Sequence, residues 1–177
     1  MRLFIAINFT EDVKNELCLT IERLKSNANQ GNFTRRENLH LTLVFLGEVA
    51  PESIQNIKSA MEKVTVEKFL LSLSGLGYFK RNGGDIYWMG VERNNCLAAL
   101  HSQLCRGLTQ AGFTLDNREY KPHLTLGREI RLIDRLDKEA FSKTIKPLKQ
   151  VVDKISLMKS ERIKGRLIYS EICTKLL

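Results

Sequence analysis

Apolar residues in this chain recur at two spacings, every second position and every third or fourth. The switches between the two spacings divide the chain into elements. The opening RLFIAINF is apolar and β-compatible and predicts a buried strand. Thr10 followed by Glu11 and Asp12 is a helix start, and Val13, Leu17, Ile21 and Leu24 continue it to about Ala28, before a polar loop, NQGN. NLHLTLVFLG predicts a second strand ended by Gly47. Pro51 then opens a helix striped by Ile54, Ile57, Met61 and Val64.

FLLSLSGLGYFK and DIYWMGVE predict two strands joined by RNGG, a tight hairpin connection. A third helix is expected from Asn94 to Ala111, with Leu97, Leu100, Leu104 and Leu108 on one face and Gly112 ending it. YKPHLTLGREI predicts another strand and Asp134 to Lys143 a short helix. KQVVDKISLMKSE and GRLIYSEICTKL then form a closing hairpin.

The order of elements nearly repeats: strand, helix, HLTL strand, helix, hairpin. The two HLTL segments begin at His40 and His123, 83 residues apart. This predicts a duplicated α+β unit, a single domain of two pseudo-symmetric halves at about 1–92 and 93–177. Its sheets are expected to be mostly antiparallel and flanked by helices.

Charge and cysteine usage narrow the chemistry. Net charge is +8, from 28 Lys and Arg against 20 Asp and Glu, which suits a polyanionic partner but is equally met by solvated lysine faces. Cys18, Cys96, Cys105 and Cys173 are scattered, with neither a C-x-x-C pair nor a His at ligand spacing. That argues against a zinc site or a disulfide framework and for free thiols in a reducing cytoplasm. No stretch approaches the roughly 18 apolar residues that span a bilayer, and the N-terminal apolar run is too short for a signal peptide.

The chain has three histidines, and two of them open the same tetrapeptide, His40–Leu43 and His123–Leu126. Strand alternation puts His40 with Thr42, and His123 with Thr125, on one face, while the leucines point to a core. Duplication explains the repetition, but not why His and Thr are the polar residues kept inside strands. Two imidazoles around one phosphate form a hydrolytic device: one takes a proton from water while the other gives one to the leaving oxygen. Their ordinary pKa, about 6.5, lets both forms coexist near neutrality. Threonine hydroxyls can donate to non-bridging oxygens as charge builds there. No carboxylate cluster offers a metal site, so neither metal nor cofactor is expected.

The paired H-x-T-x motifs, one per half, resemble those of the 2H phosphoesterase superfamily. More narrowly, NLHLTLVFLGE, YKPHLTLGR and the opening RLFIAI resemble the RNA 2′,3′-cyclic phosphodiesterases long called bacterial and archaeal 2′-5′ RNA ligases. The likeness extends over nearly the whole chain. It implies a bilobal α+β fold with both motifs lining a central cleft. It also implies hydrolysis of terminal 2′,3′-cyclic phosphates in RNA to 2′-phosphates, with weak reversible 2′-5′ ligation in some members. By that resemblance His40 matches the proton donor and His123 the acceptor, an assignment that symmetry in the sequence cannot make. The implied partners are RNA ends, tRNA fragments among them, met by a cytoplasmic monomer without a membrane. Two rivals keep the fold: an enzyme for a small cyclic nucleotide or ADP-ribose cyclic phosphate, and an idle nucleotide- or RNA-binding module.

Other residues need separate readings. Arg128 matches a basic family position that pairs with phosphate. Strict alternation places it on the leucine face, so it needs a bulge near Gly127 to reach the cleft. Phe45 has the same parity and is expected in the core. His101 lies beside the leucine stripe of the third helix as an edge-of-core residue. Gly83 and Gly84 form a turn rather than a phosphate loop. The basic tips, Lys80 with Arg81 and Lys159, Arg162, Lys164 with Arg166, read as solvated hairpin ends.

Overall fold

The computed structural model describes residues 1–134 and 136–177. Strands β1 (Arg2–Asn8), β3 (His40–Glu48), β8 (Lys154–Ile163) and β9 (Arg166–Leu176) form one sheet in the order β3-β1-β8-β9. Strands β2 (Ala28–Phe33), β4 (Phe69–Phe79), β5 (Asp85–Val91), β6 (His123–Leu132) and β7 (Leu148–Val152) form the other, in the order β2-β6-β5-β4-β7. Every pairing is antiparallel. Helices α2 (Ile54–Glu62) and α3 (Asn95–Gln110) pack on the first sheet, and α1 (Glu11–Lys25) and α4 (Lys138–Lys143) on the second.

The chain repeats the elements β1, α1, β3 and α2 as β5, α3, β6 and α4, with β2 inserted between α1 and β3 in the first run only. Arg2 to Asp85 and His40 to His123 are each 83 residues; Glu11 to Asn95 and Ile54 to Lys138 are each 84. In both sheets the strand opening the run lies against the motif strand, β1 beside β3 and β5 beside β6. Neither sheet is a half of the chain, however. The first borrows β8 and β9 from the C-terminal part, and α1 and α3 each cross to the sheet that their own opening strand does not join. One continuous core results, containing Leu41 and Leu43 of one motif strand with Leu124 and Leu126 of the other.

Four elements differ from expectation. Helix α1 is capped by Thr10, whose hydroxyl accepts from the Val13 amide, but it stops at Lys25. Ser26 Oγ and Asn27 Nδ2 fold back onto the carbonyls of Glu22 and Arg23, both at 2.9 Å. Side-chain bonds of this kind compete with continued helix. The segment expected as the NQGN loop is strand β2, paired with β6. Its ANQGNF has no alternation to announce it, because only Ala28 and Phe33, at its two ends, pack on the core. KQVVDKISLMKSE is two strands rather than one: β7 ends at Val152 against β4, and β8 starts at Lys154 against β1. The helix expected from Asp134 begins at Lys138, where Asp137 Oδ1 accepts from the amides of Glu139 and Ala140; Arg135 lies outside the described residues. The four cysteines are free.

Candidate active site

Both motif histidines are held by the same local device. His40 donates from Nδ1 to the Asn38 carbonyl at 2.7 Å, and His123 donates from Nδ1 to the Lys121 carbonyl at 2.7 Å. A bond to a carbonyl fixes the hydrogen on Nδ1, which makes Nε2 the nitrogen that gains and loses a proton. Nε2 of His40 lies 3.0 Å from Thr42 Oγ1, on the same strand face two residues on. The carbonyl behind His40 is itself anchored: the Asn38 side chain, buried, donates to the Leu167 carbonyl of β9 at 3.0 Å.

The motif strands touch each other across the two sheets, and two hydroxyl bonds brace them reciprocally. Tyr120, just before the second motif, donates to the carbonyl of Thr42 in the first at 3.1 Å. Thr34, just before the first motif, donates to the carbonyl of Thr125 in the second at 2.9 Å. Each motif is thus held by the segment leading into the other. Behind Tyr120 lies His101, stacked on its ring at 3.9 Å with the planes 4° apart, and Cys105 Sγ lies 3.4 Å from His101 Nε2. Burial pushes the Tyr120 hydroxyl far above its ordinary range, so it stays a protonated donor.

Aromatic rings wall each imidazole. Phe4 lies 4.8 Å and Tyr169 5.1 Å from His40, the latter edge-on. Phe79 lies 5.2 Å from His123, edge-on, and Trp88 6.1 Å. Trp88 fits there because residue 77 is glycine; a Cβ at Gly77 would come within 2.1 Å of the indole. Burial lowers the pKa of His40, and the positive charge of Arg128 lowers it further, against the raising effect of the Asn38 carbonyl.

That influence of Arg128 follows from a bulge. Along β6, Leu126 and Gly127 are both buried, and across this pair Tyr87 meets Gly127 while the next residue, Trp88, meets Thr125. The extra residue reverses the alternation, so Arg128 shares the face of His123 and Thr125 and is exposed there. The first motif strand does the same. Leu43 and Val44 are both buried, Ile5 pairs with Val44 and Ala6 with Thr42, and Phe45 comes onto the His40 face. Phe45 is therefore not core, as strict alternation suggested; it is 48% exposed, with the guanidinium of Arg2 5.0 Å over its ring. Phe45 and Arg128 hold the same place, five residues after their histidines. His101, by contrast, is half-buried behind Tyr120.

One face of the first sheet thus carries His40, Thr42 and Phe45, and one face of the second carries His123, Thr125 and Arg128. The chain matches the model of the 2′-5′ RNA ligase superfamily over residues 13–164 and belongs to that family. It is 32% identical over 163 residues to the RNA 2′,3′-cyclic phosphodiesterase of Thermotoga maritima, covering 90% of this chain and 87% of that one. It is 28% identical to the RNA 2′,3′-cyclic phosphodiesterase of Methanothermobacter thermautotrophicus, covering 97% and 96%. Among solved structures it is similar to Escherichia coli LigT complexed with 3′-AMP, with a TM-score of 0.82, 26% identity, and coverage of 99% and 97%. No helix of the described residues is long and apolar enough to cross a membrane.

Proposed function

We propose that this protein hydrolyses the terminal 2′,3′-cyclic phosphate of RNA to a 2′-phosphomonoester, with His40 as proton donor and His123 as proton acceptor. His123 Nε2 takes a proton from water as its oxygen bonds to phosphorus. The P–O3′ bond breaks, and the departing 3′ oxygen takes a proton from His40 Nε2. In-line attack needs the incoming and departing oxygens on opposite sides of phosphorus, and imidazoles from two facing strands suit that geometry. Thr42, Thr125 and Arg128 hold the non-bridging oxygens as charge builds on them. A 5′-hydroxyl that attacks phosphorus in place of water, giving its proton to His123 while the 3′ oxygen departs as before, gives the weak 2′-5′ ligation, and the reverse step cleaves that linkage.

The observation that carries this reading is the matched Nδ1 bond of both histidines, which leaves two equivalent Nε2 atoms as the working nitrogens on the cleft face. The lowered pKa of His40 fits a donor in one respect: its imidazolium is the stronger acid toward a departing alkoxide. A bound phosphate anion then restores the proton that burial disfavours. The names of the relatives and the solved complex of LigT with 3′-AMP support a nucleotide substrate. Phe45, exposed five residues from His40, supplies a ring for a base to stack on. We further place the enzyme in the cytoplasm as a monomer, acting on RNA ends such as those of tRNA fragments.

The test compares turnover of an oligoribonucleotide ending in a 2′,3′-cyclic phosphate with that of ADP-ribose cyclic phosphate. Faster turnover of the RNA is expected. Turnover confined to the small molecule would replace this reading with the small-nucleotide one, and turnover of neither would end the catalytic reading.

A further inference from the structure

The cleft floor formed by the first sheet is not electrically uniform. Cross-strand partners project to the same face, so the register assigns each residue a side. From His40, beside Asn8, the floor runs past Thr42 and Ala6 to Phe45 and Phe4, and on to Arg2. Arg2 pairs with Ser160, Ser160 with Tyr169, and, two residues further along the β8–β9 hairpin, Arg162 pairs with Leu167. The hairpin turn is Lys164 and Gly165, both at positive φ. At the other end Asn8 Nδ2 donates to Ser156 Oγ at 3.1 Å, and Ser156 donates to a carboxylate oxygen of Glu171 at 2.8 Å. One end of the floor thus carries Arg2 and Arg162, with the Glu48 carboxylate opposite Arg2 taken up by the N-terminal amine of Met1 at 3.3 Å, and the other end carries Glu171 with no cation beside it on the floor among the described residues.

The arginine end also offers apolar surface. Arg2 lies over Phe45, and Leu167 is exposed next to Arg162. Among the described residues, Arg2, Arg162, Lys164 and Arg166 form no ion pair. The hairpin is also fastened to the site, through the Leu167 carbonyl that holds Asn38 and the Tyr169 ring against His40. From Asn8 to Arg2 the floor spans about 20 Å at 3.3 Å per residue, long enough for a short single strand rather than a mononucleotide.

Resting on the phosphodiesterase reading above, we propose that the RNA strand 5′ of the cyclic phosphate leaves the cleft across Phe45 and Arg2 and along the Arg162–Leu167 face of the β8–β9 hairpin. Phosphates meet the two guanidinium groups, bases lie on Phe45 and Leu167, and the strand avoids the Glu171 end. This makes the hairpin the device that favours a polymer over a mononucleotide. Arg166, paired with Ile163 on the hairpin's opposite face, lies off the path and supplies an internal control of equal charge.

The experiment measures kcat/KM for an oligoribonucleotide ending in a 2′,3′-cyclic phosphate and for a 2′,3′-cyclic mononucleotide, and takes their ratio. Arg2→Gln and Arg162→Gln should each lower that ratio about fivefold, and flatten the plot of log kcat/KM for the oligonucleotide against log salt by about 0.7 per lost phosphate contact. Arg166→Gln should leave both quantities in place. Equal losses for Arg162→Gln and Arg166→Gln would mean that net charge alone matters, and an unchanged ratio in Arg2→Gln and Arg162→Gln would overturn the path. If wild type hydrolyses neither substrate, the phosphodiesterase reading fails separately. Fluorescence anisotropy of the oligonucleotide with the same three variants then decides the path by the same pattern.

Discussion

His40 and His123 open the same tetrapeptide and donate from Nδ1 to the carbonyl two residues before them, yet their surroundings differ. His40 is packed between Phe4 and Tyr169, with Nε2 already against Thr42 Oγ1 and the charge of Arg128 reaching it from the other sheet. His123 has Phe79 and Trp88 beside it, and five residues past His40 stands an aromatic, Phe45, where the second motif has Arg128. The two motifs therefore share one way of holding the imidazole and differ in what surrounds it. Unlike neighbours are what two unlike roles require, since environment is what separates the acid from the base in a pair of similar groups.

The comparison breaks most visibly if either histidine is dispensable. His40→Ala and His123→Ala should each lower kcat by about 10²–10⁴, and wild-type turnover by either variant would refute the pair. A substrate with a far better 3′ leaving group needs little proton donation. It should rescue His40→Ala much more than His123→Ala, and equal rescue would contradict their different roles. Arg128→Gln comes next, with a loss of about tenfold to a hundredfold in kcat/KM from one fewer donor to the developing charge. It should also raise the His40 pKa, read by NMR titration, because a cation that opposes protonation is gone; a lower value would show that Arg128 does not act on His40.

The reciprocal brace predicts smaller effects. Tyr120→Phe and Thr34→Val each remove one hydroxyl bond and should destabilise the fold by about 1 kcal/mol, with kcat falling several-fold while KM holds. Loss of stability with kcat unchanged would reduce the brace to a structural tie. The smallest effect is in pH dependence. His40 and His101 both have pKa values lowered mainly by burial, so the folded state resists their protonation. Their contribution to stability is present above the ordinary histidine value of about 6.5 and is lost as pH falls through the lower folded values. A bound phosphate opposes the effect of burial on His40, the proposed donor, so the high-pH limb of kcat should lie at higher pH than that of kcat/KM. A reversed order would contradict the phosphate's place beside His40.

Much of this was legible in the chain. The HLTL repeat, the leucine stripe of α3 and the hairpin at RNGG are local patterns, and local pattern reports periodicity well. What pairing decides was not legible. The bulges at Leu43–Val44 and Leu126–Gly127 come from how β1 and β5 register against the motif strands, and they reverse the faces of Phe45 and Arg128 without any mark at those residues. Strand β2 is polar through its middle, with only Ala28 and Phe33 at its ends packed on the core, so its ladder with β6 leaves no periodic pattern in the sequence. Thr34, Phe79 and Tyr169 stand in no motif that would single them out, and Tyr120, although it opens YKPHLTLGR, carries no local sign of its bond to the Thr42 carbonyl. Gly127 alone gave a hint, since glycine in a strand often marks a bulge.

The central claim, that two like histidines do unlike work on one cyclic phosphate, is tested most directly by the end they produce. An RNA ending in a 2′,3′-cyclic phosphate should be incubated with the enzyme in excess EDTA and the product read by phosphorus NMR against authentic standards. A 2′-phosphate is expected, formed at the same rate with and without the chelator. A dominant 3′-phosphate would place the substrate the other way round and contradict the assignment of His40 and His123.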